Sequence, residues 1–291
     1  MTDLGGDAAP LRPIHDPSVP SSARIYDYVL GGKDHYQADR DAAEKVVGAF
    51  PTVRVAARQN RLFMHRAVNA LTALGVTQFL DIGTGIPTEP NLHQVAQAPR
   101  PKARVVYVDN DPIVLSHARA LLTGSPEGRT AYVDADLKDP AAILSAPALL
   151  DTLDLKRPVA LSLVAVLHFL SDEHKPYAIV ETLLDALAPG SYLVVSHITA
   201  DLEPEIMSDA LDVYRQSGVY AQARTRDEVA RFFTGLELLD PGVVVANQWR
   251  PGTESPAWLD AQVNCWSAVG RKGQLSAGIT SRSKSSMPEV S

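Results

Sequence analysis

The order of apolar and polar positions changes character once along this chain. From Ala23 to Leu74 it is helical. Ile25, Tyr28 and Val29 share one face of a first stretch, and Gly31-Gly32 stop it, as glycine does just past a helix C-terminus. Asp39–Phe50 predicts a second helix, with Ala42, Ala43, Val46 and Val47 apolar and Pro51 as the break. Thr52–Leu74 predicts a third, with Val55, Leu62, Phe63, Ala67, Val68, Leu71 and Leu74 at helical spacing and Gly75 closing it.

Beyond Gly75 short apolar runs alternate with helical ones. Strands are predicted at Gln78–Gly83, Arg104–Asp109, Thr130–Asp134, Val159–Val164 and Tyr192–Ser196. Helices are predicted at Leu92–Ala98, Ile113–Leu122, Ala141–Leu150 and Tyr177–Leu187, two of them opened by Asp-Pro pairs, Asp111-Pro112 and Asp139-Pro140, in which the acid caps and the proline suits the first turn. Short strands that are apolar throughout are buried on both faces, which predicts an α/β fold: a Rossmann-like, mostly parallel, seven-stranded sheet with helices on both faces and an N-terminal helical cap. Glu203–Phe233 is again helical. Leu236–Val245 and Val263–Gly270 are β-like and predict an antiparallel hairpin added to the sheet edge. The expected organisation is a flexible arm over 1–22, a helical cap over 23–75, a ligand-binding domain over 76–272, and a disordered tail over 273–291 that is rich in Ser, Lys and Gly.

The composition is that of an ordinary globular protein, 45% hydrophobic and 21% charged over 291 residues, with a formal net charge of −7. That balance argues against a nucleic-acid partner, which needs a basic face; Arg54, Arg58, Arg61 and Arg66 read as a solvated helix face. The first ten residues carry acids and no apolar run, so no secretory signal is expected. The longest apolar stretch, Pro158–Leu170, is shorter than the roughly 20 residues of a membrane helix, so no membrane partner is expected either. The one cysteine, Cys265, permits no internal disulfide, fits a cytoplasmic location, and reads as packed core. The eight histidines show no metal-ligand spacing, and no metal is expected.

Chemistry concentrates where strands end. Asp81-Ile82-Gly83-Thr84-Gly85-Ile86-Pro87-Thr88 follows the first strand, at the edge where open α/β sheets bind ligands. Glycine at 83 and 85 allows a tight turn and a close approach to a ligand. The second strand ends in Asp109, whose carboxylate suits the two hydroxyls of a ribose. The third ends in Asp134-Ala135-Asp136-Leu137, an acid for an adenine amino group and an apolar side chain for the ring. A Gly-x-Gly turn alone is weak, but acids after three successive strands at one sheet edge form a constellation. NAD is the competing cofactor. Its fingerprint places glycine at position 88, where Thr88 stands, and Pro87 removes an N–H that a pyrophosphate needs. None of the nine tyrosines has Lys four residues on, as a short-chain reductase would.

These residues carry a resemblance. The turn Asp81–Gly85 with Asp109 and Asp136 resembles class I S-adenosylmethionine-dependent methyltransferases. The runs Arg24–Asp34, Asn60-Arg61, Asp81–Thr88, Val106–Pro112 and Val164–Phe169 together resemble an actinobacterial family of S-adenosyl methyltransferases, once a domain of unknown function. The likeness spans about Ala23 to Gly270. It implies the class I methyltransferase fold, S-adenosyl-L-methionine as cofactor, and methyl transfer to an unidentified small-molecule acceptor in a bacterial cytoplasmic enzyme. The different-class alternative is a cofactor-binding protein without catalysis, a sensor or partner subunit.

The cofactor site expected on these grounds comprises Asp81, Gly83, Thr84, Gly85, Asp109, Asn110, Asp136, Leu137 and Val164, with Tyr26 from the cap and Arg61 reaching the methionine carboxylate through its guanidinium fork. Tyr26, Asp27, Gly31, Gly32, Lys33 and Tyr36 together read as a pocket edge with a Gly-Gly hinge, against a plain helix end. Asn91 and His93 open the helix after the glycine turn, as a cap and a surface histidine or as ligand contacts. Leu163–Phe169 and Glu203–Phe233 are expected to shape the acceptor pocket, whose apolar run suits a flat or apolar acceptor. His168 and His197 are the candidate catalytic bases, against structural roles for both.

Overall fold

The computed structural model describes residues 16–121, 124–252 and 260–273. Three helices, α1 (Ser22–Leu30), α2 (Gln37–Ala49) and α3 (Val53–Ala73), precede the sheet. Gly31 ends α1 in the left-handed region, φ 87°, where its N–H returns to the carbonyls of the last turn. Strands β1 (Gln78–Ile82), β2 (Arg104–Asp109), β3 (Arg129–Asp134), β4 (Ala160–Val164) and β5 (Tyr192–Ile198) then alternate with α4 (Leu92–Gln97), α5 (Pro112–Leu121), α6 (Pro140–Ser145), α7 (Pro147–Leu150) and α8 (Pro176–Asp185). The last position of the helix expected at Ile113–Leu122 lies outside the described residues. Beyond β5 come α9 (Pro204–Gln216), α10 (Arg226–Arg231), β6 (Leu236–Leu238), β7 (Val244–Val245) and β8 (Cys265–Lys272).

The strands run in the order β3-β2-β1-β4-β5-β8-β6, with β7 also paired to β8. The pairs among β1 to β5 are parallel and those made by β8 are antiparallel. This is the class I methyltransferase architecture. Strand order reverses between β1 and β4, the switch point beside which such sheets bind ligands. Among the described residues the sheet has eight strands. β8 lies between β5 and the short strands β6 and β7, so the expected hairpin is an inserted strand flanked by two fragments; the chain turns away at Gly242, φ 80°, between them. Two other elements split. Pro147 cannot continue the helix predicted over Ala141–Leu150, so α6 and α7 meet there. The helical region Glu203–Phe233 breaks after α9, where Gly218 takes φ 79°.

Each face of the sheet is packed. Leu80, Ile82, Val106, Leu161 and Leu193 face α8 and α10 through Val180, Leu183, Val229 and Phe232, and Phe79, Val105, Tyr107 and Val194 face α3 through Phe63, Ala67 and Leu71. Alternation along each strand produces the two sets. The cap has its own smaller cores: Ile25, Val29, Ala42 and Ala57 join α1, α2 and α3, and Phe50, just past the end of α2, packs on Met207 and Ala210 of α9. Among the described residues no helix is long and apolar enough to cross a membrane.

Candidate cofactor and acceptor site

A cavity of about 1010 Å³ opens at the C-terminal ends of β1 to β5, roofed by α2, α3 and α9. Pockets that hold a drug-sized ligand measure roughly 300–1,000 Å³, and this one lies at the top of that range.

The glycine turn after β1 forms its floor. The N–H groups of Gly83 and Thr84 donate to the Val108 carbonyl, at 2.9 and 3.3 Å, and so fasten the turn to β2. The two glycines do different work. At Gly83, φ 75°, an added Cβ would lie 2.3 Å from Val166 Cγ2, so the missing side chain makes room for the segment after β4. At Gly85, φ 66°, a Cβ would meet nothing within 4 Å; the space above it belongs to the cavity. The Gly85 N–H donates to Asp109 Oδ2 at 2.9 Å, and the Asp111 N–H donates to Oδ1 at 2.9 Å. The carboxylate is held rigidly and each oxygen keeps lone pairs for further donors. Asp109 is 8% exposed, and burial raises its pKa. Farther along the edge, Asn110 Nδ2 donates to Asp136 Oδ2 at 3.1 Å, and the Lys138 N–H to Asp136 Oδ1 at 2.9 Å, beside buried Leu137.

Asp81 also lines the cavity, and burial pushes its carboxyl up to about 6, against the opposing pull of the Ser162 hydroxyl and the Arg61 charge. Arg61 borders the cavity while its Nη2 donates to the carbonyls of Thr88 and Pro90, so it also clamps the segment that follows the turn. Tyr26 donates to the Ala57 carbonyl at 3.1 Å and accepts from Asn60 Nδ2 at 2.9 Å; burial raises its hydroxyl to about 12, so it stays neutral. Val164, Ala165 and Val166 close the floor at β4, Ala165 turning through φ 54° with its N–H on Ser196 Oγ at 2.9 Å.

Several expected residues lie elsewhere. Of the motif around the Gly-Gly pair, Tyr26 alone borders the cavity. Asp27 is buried, takes the Asp34 N–H and His35 Nδ1 at 2.9 Å each, and occupies the space where a Gly32 Cβ would fall 1.9 Å from its Oδ1. The motif is a locked helix end, not a hinge. His93 is no surface residue: it is buried behind the turn, with its N–H 2.8 Å and its Nδ1 2.9 Å from the Tyr107 hydroxyl, and neither it nor Asn91 borders the cavity. His197 points to the other face of β5 from Ile198, which lines the cavity. Its Nδ1 donates to the Ile198 carbonyl at 2.8 Å and its Nε2 faces Arg224 Nη1 at 2.8 Å. Both nitrogens are committed, so His197 serves structure, not proton transfer. His168 does border the cavity, packed against Phe169 with ring centroids 4.3 Å apart, but burial drives its pKa down to about 3, which makes it a weak base.

The structure adds residues that sequence reading missed. Of the segment read as a flexible arm, 1–22, the residues before Asp16 lie outside those described, and its end makes contacts with the rest of the protein. Ser21 donates from N–H to Asp39 Oδ1 at 2.9 Å and from Oγ to Asp111 Oδ2 at 2.7 Å. Arg24, 1% exposed, pairs with Asp39 at 2.8 Å and Asp111 at 3.0 Å and donates to the Val19 carbonyl. This triad pins α1 and α2 to the loop after β2, two residues from Asp109. Cys265 is buried as expected, but it also borders the cavity, with its thiol raised to about 12. No cluster able to hold a metal occurs among the described residues.

The arrangement fits an adenosine bearing a cationic side chain. Open space over Gly85, a fixed carboxylate at Asp109, an acid beside an apolar side chain at Asp136 and Leu137, and ionisable Asp81 border one cavity and are able to meet such a molecule. Comparisons agree. A family model described as S-adenosyl methyltransferase matches residues 9–273. A protein of the DUF574 family from Streptomyces avermitilis is similar in structure, with a TM-score of 0.87 and 48% identity over 88% of this chain and 99% of that one. A proposed methyltransferase of Thermobifida fusca gives 0.81 and 39% identity over 88% and 96%. The plantazolicin methyltransferase BpumL, solved in complex with a triazolic desmethylPZN analog and SAH, shares the fold at a TM-score of 0.52 and 14% identity over 87% and 96%. No curated protein matches the chain. The chain belongs to the S-adenosyl methyltransferase family, and it is an S-adenosylmethionine-dependent methyltransferase.

Proposed function

We propose that the acceptor is a small molecule held in the same cavity as the cofactor, between the β4–β5 strand ends and α9. One observation carries this reading: the same cavity is lined both by the Gly85–Asp109 floor and by Met207, Ala210, Leu211 and Tyr214 of α9. When bound, S-adenosylmethionine supplies a methyl carbon on a cationic sulfur, which an acceptor lone pair takes as the carbon–sulfur bond breaks, its electron pair staying on sulfur and any acceptor proton being released. The protein's part is to bind and align. In this reading Asp109 accepts from the ribose hydroxyls, Asp136 and Leu137 hold the adenine, and Gly83, Thr84, Gly85, Asn110 and Val164 shape the floor. Asp81 and Arg61, with Tyr26 beside them, hold the amino-acid end. Residues 23–75 act as the cap over the binding residues of 76–272. His168 offers the acceptor a neutral hydrogen-bonding edge. Alignment of the reacting atoms supplies much of the acceleration, so a strong base is not required.

A cofactor sensor would need only the β1–β3 half of this cavity, and nothing observed favours that alternative. The test is to incubate the purified protein with S-adenosylmethionine and a panel of small nucleophiles and to measure S-adenosylhomocysteine by mass spectrometry. Acceptor-dependent turnover supports the reading. Turnover only with a protein or nucleic-acid acceptor refutes it.

A further inference from the structure

The charges bordering the cavity are not spread evenly. Among the described residues they come from Asp16 and Arg24, from Arg61, and from the ends of β1, β2 and β3 with the loops that follow them. The remaining wall, contributed by α2, β4, β5, α9 and the segment before β8, holds no charged side chain. Phe50, Phe169, Ile198, Met207, Tyr214 and Val263 represent it. Phe169 stands edge-on to Tyr214, with centroids 6.5 Å apart, and Phe50 packs on Met207.

The groups there that are able to ionise are also neutral. Burial keeps the Tyr214 hydroxyl and the Cys265 thiol up at about 12 and holds the His168 imidazole down at about 3. A charged acceptor entering this half would lose its hydration and meet no counter-charge, a heavy cost in an apolar enclosure. A neutral apolar one would gain from burial against it. Tyr214 lines the cavity and makes no hydrogen bond through its hydroxyl among the described residues, so that group remains as a polar contact for one polar atom of an otherwise apolar guest.

We infer that the methyl acceptor is an uncharged, mainly apolar molecule, ring-sized or larger, whose hydroxyl-like polar atom sits against Tyr214. The inference rests on the reading that cofactor and small acceptor share this cavity. It excludes carboxylates, phosphates and ammonium compounds as the part that enters the α9 side.

The test is isothermal titration of the S-adenosylhomocysteine-loaded protein with three probes of one shape: 2-naphthol, 2-naphthoate and 2-naphthylmethylammonium. The neutral probe is expected to bind at least roughly tenfold more tightly than either ion. Ala210→Trp fills the chamber and is expected to abolish 2-naphthol binding while leaving S-adenosylhomocysteine affinity unchanged. Tyr214→Phe, which keeps the packing, is expected to weaken 2-naphthol by roughly fivefold through the lost hydrogen bond. Equal or tighter binding of an ion overturns the inference. So does 2-naphthol binding that is absent from the loaded wild-type protein, or unchanged in both variants. Failure of the wild-type protein to bind S-adenosylhomocysteine is a separate result: it overturns the underlying reading, and the inference with it.

Discussion

Lowering the pH from about 8 to about 5 protonates Asp81 in the ligand-free protein, because burial holds its carboxyl at about 6 rather than near 3.8. A ligand with a cationic sulfur and an ammonium group favours the ionised carboxylate. If the ionised form alone binds, the apparent Kd rises by the factor 1 + 10^(pKa − pH). With a pKa of about 6 that factor is about 1 at pH 8, about 2 at pH 6 and about 11 at pH 5, or ~1.4 kcal/mol of lost affinity. Asp81→Asn, which never ionises, should bind at pH 8 at least as weakly as the wild type does at pH 5, with little slope above pH 5; the raised Asp109 retains some dependence at lower pH. Stability moves the opposite way. A carboxyl raised in the folded state contributes stability below its unfolded pKa, and this is lost as pH climbs through about 6. Asp81 is half-buried at the cavity edge, so screening leaves ~1–2 kcal/mol of that penalty at pH 8, which Asp81→Asn should relieve. Calorimetric titration across the pH range, with thermal melts of both proteins, measures both effects. A wild-type affinity that is flat from pH 8 to pH 5, or an equal slope in Asp81→Asn, refutes the reasoning.

Three further outcomes are expected. Gly83→Ala should cost about 2 kcal/mol or more by thermal melt, from the left-handed strain and the clash with Val166, and Val166→Ala should recover part of it; Gly85→Ala should cost only about 1 kcal/mol of stability yet weaken cofactor binding, since its Cβ meets only cavity space. Arg24→Met should destabilise by about 3–5 kcal/mol, because it strands Asp39 and Asp111, and adding Asp39→Asn should restore part of the melting temperature. His168→Gln should lower kcat by less than about tenfold and leave the pH–rate profile without a break near 6.5, against the ~10²–10⁴ expected of a strong general base.

The sheet, and the gathering of Asp81, Asp109 and Asp136 at one cavity edge, were legible because local signals and global position coincide there. Strands apolar on both faces ending in Asp81, Asp109 and Asp134, followed by glycine or acid, leave few alternatives in a parallel sheet. The Pro147 break was visible too, but the apolar spacing of Ile143, Leu144, Leu149 and Leu150 reads as one helix unless proline is given precedence. What sequence cannot express is which face a lone polar residue takes. His197 and Ile198 are adjacent, and a shift of one residue in strand phase decides which of them meets the ligand. Strand alternation counted back from Ile198 was the signal available. The cap motif misled for a different reason. Asp27, Gly32, Asp34 and His35 look like a binding edge because they are polar and close together, yet they satisfy one another. Arg24, whose partners Asp39 and Asp111 lie 15 and 87 residues away, was beyond any local pattern.

The most direct test of the account is titration of the purified protein with S-adenosylmethionine and S-adenosylhomocysteine, with NADH as control and Asp109→Ala beside the wild type. Micromolar binding of the first two, no binding of NADH, and loss of affinity by about tenfold or more in Asp109→Ala are expected. Absence of binding by the wild type, preference for NADH, or undiminished affinity in Asp109→Ala would contradict it.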